Sequence, residues 1–262
     1  MRKKAFTLAE VLITLGIIGV VAAITMPILV GHYKKQVWVN QLKKTVSTLE
    51  NGVKLMMAED GVDWLHETSI WSKVPSGGCT VYPSCTDFHE SLKKYFNATY
   101  TSVATNTQVI MNYKFLDLSG SFTSWPIEMH LANGADIGFY KIQKNPPTSG
   151  GGWVGPMPDL VDIYVDVNGI KKGPNQLGRD VFLYAISEKG QVLPYGSATG
   201  VREYCYLRNG NIPEESKAAC FNHLSYYIWS KDSPNNYVNC GKNSYGYTCA
   251  ARIMAEGWKM NY

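Results

Sequence analysis

The sequence predicts an α+β protein in which a long N-terminal helix packs on an antiparallel β-sheet head, followed by a disulfide-rich C-terminal region. Three observations support this prediction. An uncharged stretch, residues 11–30, leads into an amphipathic helical pattern that continues to about residue 60. Strand-like segments separated by turn signals follow from about residue 100. All six cysteines lie beyond the uncharged stretch.

The uncharged stretch is long enough to cross a membrane. At 1.5 Å per residue its twenty residues would span the hydrocarbon core as a helix. Because Arg2, Lys3 and Lys4 precede it, the positive-inside rule places the N-terminus in the cytoplasm and the rest of the chain outside. Glu10 lies at the edge of this stretch, and an ionisable group at such a place suggests a function.

The residues around Glu10 form a recognisable pattern. A basic leader ends in the small residue Ala5, and Phe6 then opens the run Phe-Thr-Leu-x-Glu before an apolar helix that contains Gly19 and Pro27. This pattern resembles the processing signal of the type IV prepilin family, which includes pilins and the pseudopilins of type II secretion. The resemblance covers about the first 55 residues. The family usually has glycine in place of Ala5, but alanine is also small, so we expect cleavage.

The resemblance implies roles for these residues. A prepilin peptidase would cut after Ala5 and N-methylate Phe6. The helix would then leave the membrane and pack with its copies, and the Glu10 carboxylate would meet the N-terminal ammonium of a neighbouring subunit. Gly19 and Pro27 would serve this assembly, Pro27 because it removes a backbone donor and allows the helix to bend.

The function that follows is that of a structural subunit of a type IV pilus or a type II secretion pseudopilus. The implied partners are the peptidase, other pilin-like subunits and an inner-membrane assembly platform. The protein would sit in the bacterial inner membrane and later in a periplasmic or extracellular filament. The alternative is a minor, pilin-like binding module for adhesion or ligand capture. An ordinary signal peptide or simple anchor explains neither Glu10 nor the short leader.

Charge and motifs argue against other classes of function. The chain has 25 basic and 21 acidic residues, and three of the basic residues lie in the leader, which leaves 22 against 21 in the mature chain. That balance gives no indication of nucleic-acid binding. Gly-x-Ser-x-Gly, His-Glu-x-x-His and the P-loop pattern are absent, so we predict no enzyme.

The six cysteines predict disulfides, because an even number in an exported domain is typical of an oxidised framework. Proximity in sequence favours three pairs, although fifteen pairings are formally possible. A zinc site is the alternative, but the sequence contains no Cys-x-x-Cys. The favoured pairs are Cys79–Cys85, Cys205–Cys220 and Cys240–Cys249.

The remaining elements follow from periodicity and turn residues. Apolar residues at steps of three and four predict that one helix runs from about residue 6 to 59. A capping box of Asp87 and Glu90 predicts a second helix, 88–96. Further helices are predicted at 216–229 and 249–256, and strands at 109–115, 126–131, 136–142, 160–167, 180–187 and 191–194. Together the strand segments suggest one antiparallel sheet of four or five strands. The chain is predicted to have five parts. They are a leader peptide, 1–5, a transmembrane or filament-core helix, 6–30, its amphipathic continuation, 31–60, an antiparallel sheet head, 61–200, and a Cys- and aromatic-rich C-terminal region, 201–262.

One loop carries a candidate metal site. Oxygen-bearing side chains at Asp166, Asn168, Asn175 and Asp180 surround a glycine-rich segment. Calcium prefers six to eight oxygen ligands, and Asp-x-Asn-Gly turns can supply several. Some pseudopilins have a calcium loop in the head, which the resemblance permits here. The alternative is an ordinary strand-to-strand turn, and two lysines in the loop disfavour a cation.

Overall fold

A computed structural model describes residues 7–79, 85–100, 111–124, 129–142, 144, 159–196, 240–241 and 243–262 of the chain. The chain divides into two compact units, Met1–Val37 and Trp38–Tyr262. The boundary between the units falls inside one helix. The five-part division of the chain stays a prediction.

Among the described elements, two α-helices come before the strands and one comes after them, which is an α+β order, as predicted. Three short 3₁₀ turns connect them, at Leu65–Glu67, Trp71–Lys73 and Ile170–Lys172. In chain order the elements are α1 Leu8–Asp60, α2 Thr86–Phe96, β1 Ala98–Tyr100, β2 Met111–Lys114, β3 Ser121–Ser124, β4 Met129–Leu131, β5 Asp136–Ile142, β6 Asp159–Asp166, β7 Val181–Ser187, β8 Val192–Pro194 and α3 Cys249–Ala255.

Helix α1 confirms the prediction of one long helix. It has 53 residues and continues through Pro27, whose missing N–H leaves one backbone carbonyl of the preceding turn without its helical donor. From Trp38 onward the predicted apolar stripe is buried in the main core of the second unit. Its members are Val39, Leu42, Val46, Leu49, Val53 and Met56, and they share this core with β4–β7 residues including Leu131, Ile137, Phe139, Ile163, Val165 and Phe182.

The main sheet has six antiparallel strands in the order β1-β4-β5-β6-β7-β8, and β2 and β3 form a separate two-stranded sheet. The prediction of four or five strands was therefore too low. The strand that it missed on the edge is β1, which has three residues and directly follows α2. In its pairing with β4, Thr99 lies opposite His130, which is far away in sequence. No local sequence pattern predicts such a pairing.

Helix α2 begins two residues earlier than predicted. Its N-cap is Cys85, which makes no side-chain cap, and the backbone N–H of His89 donates to the Cys85 carbonyl at 3.0 Å. The predicted capping box of Asp87 and Glu90 was wrong, because the first turn already starts at Cys85. The predicted C-terminal helix is present as α3, whereas the predicted helix 216–229 lies outside the described residues.

Candidate functional site

The N-terminal end of α1 is capped by its own side chains. The backbone N–H and the hydroxyl of Thr7 both donate to Glu10 Oε2 at 2.8 Å, and the backbone N–H of Glu10 donates to Thr7 Oγ1 at 3.3 Å. This reciprocal pair is a capping box. Sequence reasoning gave Glu10 a role only in assembly and missed the cap, although Thr-x-x-Glu is visible in the sequence. Ala5 and Phe6 lie outside the described residues.

The first unit exposes an apolar surface along α1. Within the described residues, α1 is the one helix long and apolar enough to cross a membrane, and none of its most apolar window is buried in the chain. A core helix of a soluble protein would be mostly covered. A Cβ added at Gly16 or Gly19 would meet nothing within 4 Å, so these glycines also leave open surface.

The hydroxyl groups on this surface are satisfied by the helix itself. Thr14 Oγ1 donates to the backbone carbonyls of Glu10 at 3.0 Å and Val11 at 2.9 Å. Thr25 Oγ1 donates to the Val21 carbonyl at 2.9 Å. Unpaired hydroxyls are costly in an apolar medium. The exposed half of α1 is therefore suited to lipid or to another apolar helix.

A second candidate site lies where the loop 167–180 joins β6 to β7. The sheet register places Asp136, at the start of β5, opposite Asp166, at the end of β6. The backbone N–H of Val167 donates to the Asp180 carbonyl at 2.8 Å, which brings the third acid to the same end of the sheet. Directly opposed like charges destabilise a sheet. Sequence reasoning missed Asp136 because only the strand pairing brings it to the loop.

Two of these acids hold the loop in place. Asp180 accepts hydrogen bonds from the backbone N–H groups of Asn175 at 2.9 Å and Gln176 at 2.8 Å. Asp136 Oδ2 accepts one from the backbone N–H of Ile170 at 2.9 Å. Both carboxylates therefore determine the path of the loop backbone.

Four buried oxygen atoms of the loop accept no hydrogen bond of standard geometry. They are both carboxylate oxygens of Asp166, Oδ1 of Asn168 and Oδ1 of Asn175. The two amides are fixed in orientation, because Nδ2 of Asn168 donates to the Gly173 carbonyl at 3.1 Å and Nδ2 of Asn175 donates to the Ile170 carbonyl at 2.9 Å. Turning either amide over would bring two oxygens together, so each Oδ1 must face away from its carbonyl.

Burial makes Asp166 and Asp180 hard to ionise. Desolvation and the nearby charges of Asp180 and Asp136 raise the pKa of Asp166 to about 8, against hydrogen bonds from the backbone of Asn168 and Gly169 that lower it. Desolvation also raises the pKa of Asp180, against hydrogen bonds that include one from the Asn168 side chain. An ionised Asp166 in this position calls for a compensating positive charge.

Within the described ranges, no three His, Cys, Asp or Glu side chains are grouped as a metal centre. A cation in the 167–180 loop would therefore depend on the amide oxygens of Asn168 and Asn175 as well as on Asp166. Of the four predicted ligands, Asp180 differs from the others because it is occupied with backbone N–H groups.

Two of the three predicted disulfides can be examined. Cys79 is bonded to Cys85, just before α2, and Cys240 is bonded to Cys249, at the start of α3. The predicted partners Cys205 and Cys220 lie outside the described residues. All four described cysteines are buried, which identifies them as structural parts of the second unit.

Comparison with known proteins gives one match. Residues 1–26 match the family model described as the prokaryotic N-terminal methylation motif, the signature of type IV prepilin-like proteins. This confirms the resemblance, and the long apolar helix with its antiparallel sheet fits a pilin-like α+β fold. The motif implies processing by prepilin peptidase and assembly with other pilins. No curated protein and no solved structure matches the chain significantly.

Proposed function

We propose that this protein is a structural subunit of a type IV pilus or a type II secretion pseudopilus. Prepilin peptidase cuts it after Ala5 and methylates Phe6, and the mature subunit assembles through α1. The observation that carries the proposal is the match of residues 1–26 to the methylation motif, followed by a helix whose apolar side chains have no cover within the chain. The motif belongs to a structural rather than an enzymatic class of proteins.

The exposed half of α1 requires an apolar environment at every stage. Apolar surface in water costs about 25 cal/mol for each Å². The inner membrane covers this surface before assembly, and the same helices of neighbouring subunits cover it in a periplasmic or extracellular filament. Gly16 and Gly19 offer places of close approach, since small residues let two helices come together.

Glu10 has two separable roles in this proposal. As the partner of Thr7 it caps α1, and a glutamine could perform that role too. As a carboxylate it pairs with the Phe6 ammonium of a neighbouring subunit inside the apolar bundle. Removing one partner of a buried ion pair costs roughly 3–5 kcal/mol, so the loss of the charge should weaken assembly.

Three variants separate the cap from the charge. Glu10→Gln keeps the cap and removes the charge, Glu10→Val removes the charge and the part of the cap that the Glu10 side chain supplies, and Thr7→Val removes the part that the Thr7 hydroxyl supplies and keeps the charge. Cells that express each variant are fractionated, and mature protein in the membrane is compared with protein in sheared filaments. We expect both Glu10 variants to lose most filament protein, with processing largely intact, and Thr7→Val to retain it.

Two results would contradict the proposal. Normal filament yield from Glu10→Gln would refute the proposed charge pairing. A loss of filament protein confined to Glu10→Val and Thr7→Val would show that the cap, and not the charge, supports assembly. Intact mass spectrometry of the cell-derived protein tests the processing step independently. We expect a methylated chain that begins at Phe6, and a chain that begins at Met1 or beyond Ala22 would refute the prepilin assignment. Filament images then separate a shaft subunit from a rare binding module.

A further inference from the structure

We propose that the tip of the β2–β3 hairpin in one copy of this chain docks into a groove between α1 and β8 of the next copy. The inference rests on the proposed function, because it assigns two surfaces of the head to the contact between assembled subunits. Leu118 is the side chain that would enter the groove. It lies at the hairpin tip, between the end of β2 and the start of β3, and Asp117 precedes it.

Leu118 is exposed and has a strained backbone conformation. Among the described residues of the second unit it is the most exposed large apolar side chain, at 66%. Its φ is +61°, a value that a bulky side chain rarely adopts and that glycine accepts without strain. Strain of this kind is typical of binding and switch sites, where the surrounding structure enforces it. Because most of its surface lies outside the packing of its own chain, Leu118 is suited to a contact with another molecule.

Hydrogen bonds hold the hairpin tip in a fixed position. The backbone N–H of Leu118 donates to the Phe115 carbonyl at 3.1 Å. Asp117 Oδ1 accepts hydrogen bonds from the backbone N–H and the hydroxyl of Ser119, at 2.9 Å and 2.7 Å. The backbone N–H of Asp117 donates to the Ser244 carbonyl at 3.0 Å, which ties the tip to the C-terminal part of the head. A tip that is already ordered loses little conformational freedom on binding, and this favours association.

A groove of about 470 Å³ lies between α1 and the edge of the main sheet. Met57 of α1 and Val192 and Leu193 of β8 give it an apolar lining. Gly190, in the turn between β7 and β8, allows this arrangement. A Cβ at that position would lie 2.4 Å from the Met57 sulfur and 2.9 Å from Cγ1 of Val53, so the lack of a side chain lets the turn pack closely on α1.

The charges of the two surfaces are complementary. Lys54 and Lys189 are exposed residues of the groove, and Glu50 also lines it, so the groove has a net positive charge. Docking of Leu118 on the apolar lining would bring the carboxylate of Asp117 to these lysines. Opposite charges orient two surfaces and exclude wrong partners more than they add affinity. The groove therefore fits the hairpin tip of a second copy.

The hairpin and the groove lie on opposite faces of the sheet, near opposite ends of β7. Tyr113 of β2 packs with Val181 and Leu183 on one face, whereas α1 packs on the other. The turn that lines the groove follows Ser187, at the far end of β7 from Val181. Because β7 has seven residues, its two ends are about 20 Å apart. Two separate surfaces of this kind form a heterologous contact, which can continue from copy to copy along a helical filament.

Photo-crosslinking in filaments tests the contact directly. The full-length chain is expressed with a benzophenone-bearing phenylalanine analogue in place of Leu118, sheared filaments are irradiated, and crosslinked peptides are identified by mass spectrometry. We expect crosslinks from position 118 to residues 50–57 or 189–193 of a second copy, because the groove of the same copy is too far away. The same analogue in place of Glu90, which is exposed on α2, is the matched control and should give no crosslink to these segments.

Two substitutions on the hairpin test the contact without a probe. Leu118→Gly should lower the protein in sheared filaments at least about fivefold and should not lower the midpoint of thermal unfolding, because glycine accepts the positive φ. Leu55→Ala is the control, since Leu55 is 46% exposed on α1 but does not line the groove. It should assemble normally. Asp117→Lys should also lower the yield, and the further substitution Lys189→Glu should restore part of it.

The results separate this inference from the proposed function. Normal filament yield from Leu118→Gly would overturn the docking of the hairpin and leave the proposed function intact. Crosslinks from position 118 only to another protein, or only to another surface of a second copy, would do the same. If the unsubstituted chain formed no filaments, the proposed function would be refuted, and this inference with it.

Discussion

Leucines in the two halves of α1 have opposite environments. Leu15 and Leu12 are each 60% exposed, whereas Leu42 and Leu49 are 0% and 1% exposed. The glycines differ in the same way, because a Cβ at Gly19 would meet nothing within 4 Å while a Cβ at Gly52 would lie 2.5 Å from the Phe96 ring. The same residue types therefore lie in opposite environments in the two halves of the helix. The second half of α1 is buried by other residues of the chain, whereas the apolar side chains of the first half have to be covered by lipid or by another molecule.

The largest contrast should come from leucine truncation. Leu49→Ala removes buried methyl groups from the core of the head and should lower its free energy of unfolding by about 2–5 kcal/mol. Leu15→Ala should leave that free energy unchanged. Urea unfolding of full-length protein in detergent, followed by tryptophan fluorescence, measures both. Equal effects of the two substitutions would contradict the division of the helix.

A buried histidine in the head should make its own acid-sensitive contribution to stability. His89 is 2% exposed and stacks on Phe139 at 4.8 Å, and burial lowers its pKa to about 4. The unfolded chain, with a histidine pKa near 6.5, therefore binds more protons between pH 6.5 and 4. The contribution of His89 therefore falls as the pH drops through this range, by up to roughly 3 kcal/mol, whereas the raised pKa of Asp166 acts on stability in the opposite direction.

The His89→Leu variant isolates this contribution. Urea unfolding is measured at several pH values between 7 and 4 for both proteins. The slope of stability against pH should be smaller in the variant, because the leucine cannot take up a proton. Parallel slopes would show that His89 is not the acid-sensitive group.

The effect of a Gly→Ala substitution on stability should differ in sign between the two halves of α1. Alanine in place of a helical glycine normally stabilises by up to about 1 kcal/mol. At Gly52 the new Cβ would also approach the Tyr95 carbonyl at 2.6 Å, so we expect Gly52→Ala to destabilise the head by about 1–3 kcal/mol. Gly19→Ala should not destabilise it. A stabilised Gly52→Ala protein would show that α2 can move away from α1.

The smallest effect should come from the exposed ion pair at the end of α1. Lys94 Nζ lies 2.8 Å from Glu59 Oε1, and both groups are in contact with solvent. Such pairs contribute little because solvent and salt screen them. Glu59→Gln should therefore leave the urea midpoint within experimental error. A clear shift would indicate that this pair supports the packing of α2 on α1.

The sequence predicted elements with strong local patterns. The bounds of β5, which follows the Asn133-Gly134 turn, were predicted correctly, and the buried stripe of α1 was confirmed at every position from Val39 to Met56. β3 was missed because Ser121–Ser124 is short and largely polar. Asp136 was missed at the candidate cation site because its position opposite Asp166 depends on strand register, which is not encoded by nearby residues.

The core of the head joins an early segment of the chain to late ones. The stripe on α1 ends at Met56, whereas the strands that cover it begin at Met129 and continue to Val192. A ribosome makes the chain from its N-terminus, so this apolar stripe is complete long before its partners exist. During synthesis this apolar stripe is therefore exposed, because the strands that bury it do not yet exist. Packing of the head therefore has to wait for the last strands, and folding of this core is necessarily a late event in the synthesis of the chain.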